Sequence, residues 1–359
     1  MKELEEVEEV QKVEGHMVTV DGSEGGGQIL RTAVALSAIG GRAVRVVNIR
    51  KARPKPGLQP QHLLGVRAIA ELCAAQVKGA ELNSTEIEFI PGPLSPREES
   101  SLDVGTAGSV TLLLQALLPC LAAAGGKRRL ILRGGTNVPF SPPVDYMREV
   151  LCPALGEMGV SIEVEVARRG FYPKGGGEVR VSVQAQDAPR ALRRMERGGL
   201  KGIRGVVYSC RLPEHVPQRI AKAAASRLER AGYAATIEYD VNAPSGSPGC
   251  GVVLVAEFER AALGADALGE VRKPAEKVGE EAAERLLEEI QSGAAVDSHL
   301  GDQLVVWAAL ARGESQYAAS RATDHLRSAV AVTAEMLDTR FALSGEAPVV
   351  VTCSGRLRR

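Results

Sequence analysis

From Met17 the chain passes from a short alternating apolar run, Met17–Val20, through a glycine-rich turn into apolar residues spaced for a helix. It then meets Gly40-Gly41 and a Val-rich run: DGSEGGGQILRTAVALSAIGGRAVRVVNI. Alternation at period two marks a half-buried strand, and apolar residues three and four apart mark the buried face of a helix. The same order returns in DVGTAGSVTLLLQALLPCLAAAGGKRRLILRGG, with Gly125-Gly126 in the place of Gly40-Gly41. Each segment continues through a Pro-rich loop into a second helix, KPGLQPQHLLGVRAIAELCAAQ in the first and FSPPVDYMREVLCPALGEMG in the second. A third copy is read in HLGDQLVVWAALARGESQ followed by ATDHLRSAVAVTAEMLDTRF, where Asp324-His325-Leu326 falls at the position of Gln61-His62-Leu63. Such self-similarity predicts units that stack to share a core, here three of strand–helix–strand–helix–strands.

The stretch from 188 to 291 has a different pattern. Gly202–Arg211, Ala234–Asp240 and Gly251–Glu259 read as strands, Glu214–Ala231 as an Ala-rich amphipathic helix and Pro274–Ile290 as a charged helix, a βαββα insert. The predicted fold is α/β (α+β): a large domain over 17–187 and 292–345 and a small inserted α/β domain over 188–291. A polar extension at 1–16 and a C-terminal strand with a basic tail over 346–359 flank them.

Composition narrows the function. Lys+Arg and Asp+Glu both number 44, which excludes a strongly basic coat for nucleic acid. Aromatics are 3%, too few for a platform that stacks every base of a strand. The six cysteines are scattered and never form C-x-x-C, which argues against a zinc ribbon or a disulfide framework. The charged start MKELEEVEEVQKVEG is no signal peptide, and Val110–Ala124, the most apolar stretch, is too short and too interrupted to span a bilayer. A cytoplasmic protein with no membrane partner is expected.

Five constellations carry candidate chemistry. Asp21–Gln28 joins a strand to a helix through glycines, which let backbone approach a phosphate at a helix N-terminus; a tight turn is the plain alternative. Glu24 in that turn favours function, since a carboxylate beside phosphate makes sense with a divalent metal between them. Arg50, Lys51, Arg53 and Lys55 crowd a Pro-stiffened loop, suiting phosphate or RNA, or a solvated surface. Thr106–Ser109, leading to Gln115, is a second glycine-rich turn. In His299–Gln303, Asp302 and Gln303 either cap a helix or bind a nucleotide or its metal. His325 lies near a helix start, which disfavours imidazolium and leaves the ring neutral and nucleophilic.

Together, GSEGGGQILR, IRKARPKPGLQPQHL, GTAGSVTLLLQ, GGTNVPFSPPVDY, GFYPKGGGEV, HLGDQ and the final DHL resemble the RNA 3′-terminal phosphate cyclase family, in its catalytic archaeal and bacterial type. The likeness runs from about Met17 to Phe341. It implies a large domain of three βαβαββ units, similar to the C-terminal domain of translation initiation factor three, with a smaller domain inserted before the third unit. It also implies ATP and a divalent metal (Mg or Mn) as cofactors and RNA with a 3′-terminal phosphate as partner. A histidine would take AMP from ATP and pass it to the RNA 3′-phosphate, and the 2′-OH would then close a 2′,3′-cyclic phosphate. Carried over by position, His325 matches the adenylated histidine and Glu24 the acidic residue near metal and phosphates. Arg31, Arg50 and Gln61 match residues lining the site, while Gln115, His299, Leu300, Gly301, Asp302 and Gln303 match the ATP site. Phe140, Tyr146, Phe171 and Tyr172 are the few candidates for base stacking. A homodimer is allowed for. The alternatives are a non-catalytic cyclase-like scaffold in ribosomal RNA processing and an enolpyruvyl-type transferase on a related architecture.

Overall fold

The computed structural model describes residues 17–24 and 26–356. The expected polar extension at 1–16, Gly25 in the first glycine turn and the tail residues 357–359 lie outside them. The chain opens with β1 (Val18–Asp21), α1 (Gly27–Gly40), β2 (Val44–Val47), α2 (Pro60–Leu72), β3 (Gln76–Lys78) and β4 (Ile87–Ile90), whose sheet runs β1-β2-β4-β3. Gly41, left-handed at φ 68°, closes α1 by donating its N–H to Ser37. Next come β5 (Glu99–Asp103), α3 (Val110–Ala124), β6 (Gly126–Gly134), α4 (Val144–Tyr146), a π-helical turn at Met147–Leu151, α5 (Cys152–Glu157), β7 (Val160–Arg168) and β8 (Gly177–Ala185). That sheet runs β5-β6-β8-β7. The π turn precedes Pro153, whose ring has no N–H to give and would crowd a regular helix.

The two residues of β9 (Arg193–Arg194) precede the insert: β10 (Leu200–Cys210), α6 (His215–Glu229), β11 (Ala235–Asp240), β12 (Gly249–Phe258), β13 (Ala262–Leu268) and α7 (Ala275–Gln291). The chain returns as α8 (Ser298–Leu310), β14 (Ser315–Ala319), α9 (Asp324–Leu337), β15 (Phe341–Ser344) and β16 (Val349–Cys353), in a sheet ordered β15-β16-β14-β9. Read from β9, this is the order of the first two sheets, and in all three the leading pair is parallel and the other pairs antiparallel.

Three expectations from sequence change here. Arg193 and Arg194, assigned to the insert by the 188 boundary, pair with Gln316 and Tyr317 of β14, so the sheet of the third segment begins before the insert. The C-terminal strand set apart at 346 is β16, an inner strand of that same sheet, between β15 and β14. The insert holds a further strand, β13, in a sheet ordered β11-β10-β12-β13; the small residues of ALGADAL hid it from a search for bulky alternation. Its inner strand β12 is buried on both faces, which explains its unbroken apolar run. One face lies under α6 and α7, and through Val253 and Val255, beside Tyr208 of β10, the other joins the main core. Among the described residues, no helix is long and apolar enough to cross a membrane.

The insert is fastened by a buried cation. Arg169 is 0% exposed, donates through both terminal nitrogens to Asp145 at 2.8 Å, and reaches Asp240 of β11 at 2.6 Å and Asn137 at 3.1 Å. Its guanidinium carbon lies 4.5 Å from the centre of the Tyr208 ring. Burial opposes the charge of Asp145, but Arg169, Asn137 and Arg148 outweigh it and hold the carboxyl below its ordinary value. A buried ion whose partner is removed keeps its desolvation cost. Arg169→Met should therefore destabilise the protein by about 3–5 kcal/mol, read as a lowered urea midpoint; a midpoint within error of wild type would show the pair to be dispensable.

Candidate active site

Helix starts meet where successive segments join. Gln61 of α2 accepts the N–H of Ser109, the cap of α3, at 3.0 Å. Tyr146 of α4 donates its hydroxyl to Asp297, the cap of α8, at 2.6 Å. Gln28 of α1 donates to the carbonyl of His325 at the start of α9, at 3.0 Å. A helix N-terminus presents unpaired N–H groups and a partial positive charge, so these meetings suit anions.

The glycine turn into α1 is closely approached by side chains. A Cβ on Gly27 would lie 2.3 Å from His62 Nε2 and 2.9 Å from Arg31 Nη1, and one on Gly26 would lie 3.0 Å from Arg53 Nη2. His62 is only 5% exposed, and its Nδ1 accepts the Gln59 N–H at 3.2 Å, which assigns the ring proton to Nε2, the nitrogen beside Gly27. Burial, then Arg31 and Arg50, push its pKa down to about 3, so it is neutral at any working pH. The sequence reading aligned His62 with His325 and gave it no role; that alignment was the signal available.

Arg31 is desolvated, which lowers its pKa to about 10, and no carboxylate forms an ion pair with it among the described residues. An anionic ligand would supply the missing countercharge. Arg50, left-handed at φ 56°, donates to the carbonyls of Lys55 at 2.6 Å and Gly57 at 2.9 Å. It braces the cationic loop from within while Lys51, Arg53 and Lys55 face solvent. His325 is exposed on the first turn of α9. Partial burial, then Arg31 and Arg53, hold its pKa below the ordinary histidine value, with Asp324 working in the other direction.

The segment before the second turn of α8 divides differently from the sequence expectation. Asp297, which sequence reasoning passed over, is the cap: it accepts from His299 N at 3.1 Å, Leu300 N at 2.9 Å and, through its other oxygen, Gly264 N of the insert at 3.0 Å. Asp302 instead accepts a hydrogen bond from Thr323, the cap of α9, at 2.5 Å, and burial raises its pKa to about 6. Leu300 is wholly buried, and Gly301 packs its backbone on Ala319, so neither offers a side chain to a ligand. His299 is exposed, its ring edge-on to Tyr146 at 6.1 Å. Gln303 donates to the His299 carbonyl at 3.1 Å, and its buried Oε1 has no partner among the described residues. Gln115 is half-buried in α3. Glu24 is exposed, and no group of three or more His, Cys, Asp or Glu gathers anywhere among the described residues. Tyr146 and Phe171 are buried in the core, which removes them as base-stacking surfaces.

Thr323 carries two bonds at once, donating to Asp302 and accepting the Leu326 N–H at 2.9 Å. Thr323→Val should cost about 1 kcal/mol of unfolding free energy in urea, and Thr323→Ser should restore most of it. Equal midpoints for the valine variant and wild type would show that the cap does not hold α9.

The family model for RNA 3′-terminal phosphate cyclase matches residues 22–343. The chain is 48% identical over 332 residues to the RNA 3′-terminal phosphate cyclase of Thermococcus onnurineus, covering 92% of this chain and 96% of that one. It is 46% identical to the protein of that name from Thermococcus kodakarensis, over 92% and 95%, and 47% identical to that from Caldivirga maquilingensis, over 90% and 94%. Among solved structures, the enolpyruvyl transferase NikO from Streptomyces tendae is similar at 12% identity and a TM-score of 0.27, covering 96% of this chain and 66% of that one; a likeness of that size bears on neither fold nor activity. A family match from the first glycine turn to β15, together with relatives matched along nearly their whole length, makes this chain a member of the RNA 3′-terminal phosphate cyclase family.

Proposed function

We propose that the chain uses ATP to convert an RNA 3′-terminal phosphate to a 2′,3′-cyclic phosphate, with His325 as the nucleophile. The observation that carries this reading is an exposed histidine at a helix start, its pKa held below the ordinary value by partial burial and neighbouring cations, and gripped through its carbonyl by Gln28. A neutral ring nitrogen of His325 attacks the α-phosphorus of ATP; the N–P bond forms, the bond to the bridging oxygen breaks, and pyrophosphate leaves. An oxygen of the RNA 3′-phosphate then attacks that phosphorus, and the N–P electron pair returns to the imidazole. Last, the 2′-oxygen attacks the RNA phosphorus as its proton is removed, closing the ring and expelling AMP. Covalent catalysis divides a hard activation into easier displacements.

Arg31 and the exposed cations of the 50–55 loop neutralise charge on the transferring phosphoryl group. His62 contributes a neutral Nε2–H beside Gly27, and Arg50 keeps the loop in shape. Gln61, Gln115, His299, Asp302 and Gln303 line the ATP side, and the Oε1 of Gln303, without a partner among the described residues, suits a donor on the nucleotide. A divalent ion fits as one carried in by the nucleotide, with the exposed Glu24 to meet it, because no group of three or more His, Cys, Asp or Glu gathers among the described residues. When bound, the ion supplies further charge neutralisation at the phosphates.

Incubation with ATP labelled in its α-phosphate should give a covalent label that is acid-labile and alkali-stable, and His325→Ala should abolish it; a variant labelled to the wild-type extent would remove His325 from the role. Because the imidazolium cannot attack, labelling should fall on the acid side with an apparent pKa below 6.5, the ordinary histidine value. Arg53→Gln removes a neighbouring cation that disfavours imidazolium, so the acid limb should move up in pH. A limb that stays in place would show that Arg53 does not tune the ring.

A further inference from the structure

The motif GFYPKGGGEV has no part in the chemistry above, and its structure is that of a rigid mount with an exposed tip. Phe171 is buried, stacked near Tyr208 with ring centres 6.3 Å apart, and fills the space where a side chain on Gly249 would lie. Gly175, left-handed at φ 65°, donates its N–H to the Phe171 carbonyl at 2.7 Å. A Cβ there would lie 2.5 Å from the carbonyl oxygen of Thr106, so Gly175 rests on the second glycine-rich turn. Gly170 and Gly177 are pressed against one another, with 2.4 Å between a Cβ on the former and the backbone nitrogen of the latter. Only glycine permits these approaches. Between the fixed ends, Tyr172, Pro173 and Lys174 all face solvent, and Tyr172 is 70% exposed.

We infer that this tip is an RNA track: Tyr172 stacks on a base, and Lys174 meets a phosphate, in the single-stranded segment that leads to the reacting 3′ end. The inference rests on the cyclase reading. Place and charge point to this occupant. Gly175 sits on Thr106 and Ala107, and the same turn ends at Ser109, which Gln61 holds beside His62; the tip thus borders the anion-binding region. Lys174 forms no ion pair among the described residues, and neither do Lys51 and Arg53 of the cationic loop, so these exposed cations are left for an anionic ligand. The neighbouring loop adds a second aromatic. Phe140 is 99% exposed on a left-handed backbone, and its loop is tied alongside the motif by Thr136 N–H to Gly170 carbonyl at 2.9 Å. A fully exposed phenylalanine on a strained backbone gains nothing for stability, whereas a base face is a partner it can cover. Pre-set aromatics beside cations are the arrangement that holds a single strand without reading its sequence.

The test uses the full chain and a short RNA ending in a 3′-phosphate. Tyr172→Ala should raise KM for that RNA about ten-fold, the equivalent of one lost stack, while leaving kcat unchanged. On an RNA made abasic just upstream of its terminal nucleotide, wild type should lose a similar factor and Tyr172→Ala should lose nothing more. Lys174→Ala should lower the slope of log KM against log salt by about 0.7. Both variants should acquire the α-phosphate label from ATP alone at the wild-type rate, since neither residue acts before RNA arrives. Normal labelling with unchanged KM and salt slope in both variants overturns the track alone. Failure of the wild-type protein to label overturns the cyclase reading, and the track with it.

Discussion

The contact on which the site most depends is the carboxylate of Asp297. It caps α8 through two backbone N–H groups, takes the hydroxyl of Tyr146 from the second segment and holds the Gly264 N–H of the insert. One buried carboxylate thereby fixes two other parts of the chain to the start of a single helix. Charge-assisted bonds of this kind are short and strong, and their removal leaves several donors unpaired in the same place, each at its own desolvation cost. Gln61 at Ser109 and Gln28 at His325 perform the same task at the other two joints with neutral groups. These ties between segments add to caps that α3, α8 and α9 have of their own in Ser109, Asp297 and Thr323 and to the Gln59–His62 capping box of α2, whereas α1 has no side-chain cap.

That arrangement accounts for the electrostatics. Cations gather at the first glycine turn without forming ion pairs among the described residues, and both histidines among them are held below the ordinary histidine pKa, His62 much further because it is buried. A protein with no net charge overall concentrates positive field at one rim, and the paired Glu and Arg side chains lie elsewhere, on the outer faces of sheets such as Arg129 with Glu99 and Arg133 with Glu178. The glycines of the turn are what bring His62, Arg31 and Arg53 so near the backbone.

Much of this was legible before the fold. The helices and strands of the insert lie within two residues of where periodicity placed them: α6 at His215–Glu229 against Glu214–Ala231, and β11 at Ala235–Asp240 against Ala234–Asp240. β9 was not legible because two arginines carry no apolar alternation, and their pairing with β14 is a long-range fact. β13 was missed because its buried residues are mostly alanine and glycine. At the site, residue types and spacing marked the glycine turns, the cationic loop and His325. They did not show that Arg50 would turn inward to brace its own loop, that Asp297 and not Asp302 would cap α8, or that Leu300 would belong to the core. Those outcomes depend on which neighbour arrives from another segment.

The position of β16 bears on how the protein is made. It lies inside its sheet, between β15 and β14, and it follows every other described strand in chain order. The sheet beneath α8 and α9 therefore stays open, with that edge of β14 unpaired, until Val349–Cys353 has left the ribosome. The first two sheets and the insert are each built from strands that are already complete and can form while synthesis continues. Vectorial assembly thus leaves α9, the helix bearing His325, to be seated last, so a nascent or prematurely ended chain can be largely folded and still lack that histidine in place. The unpaired edge of β14 during that interval is also the surface most open to pairing with the wrong strand.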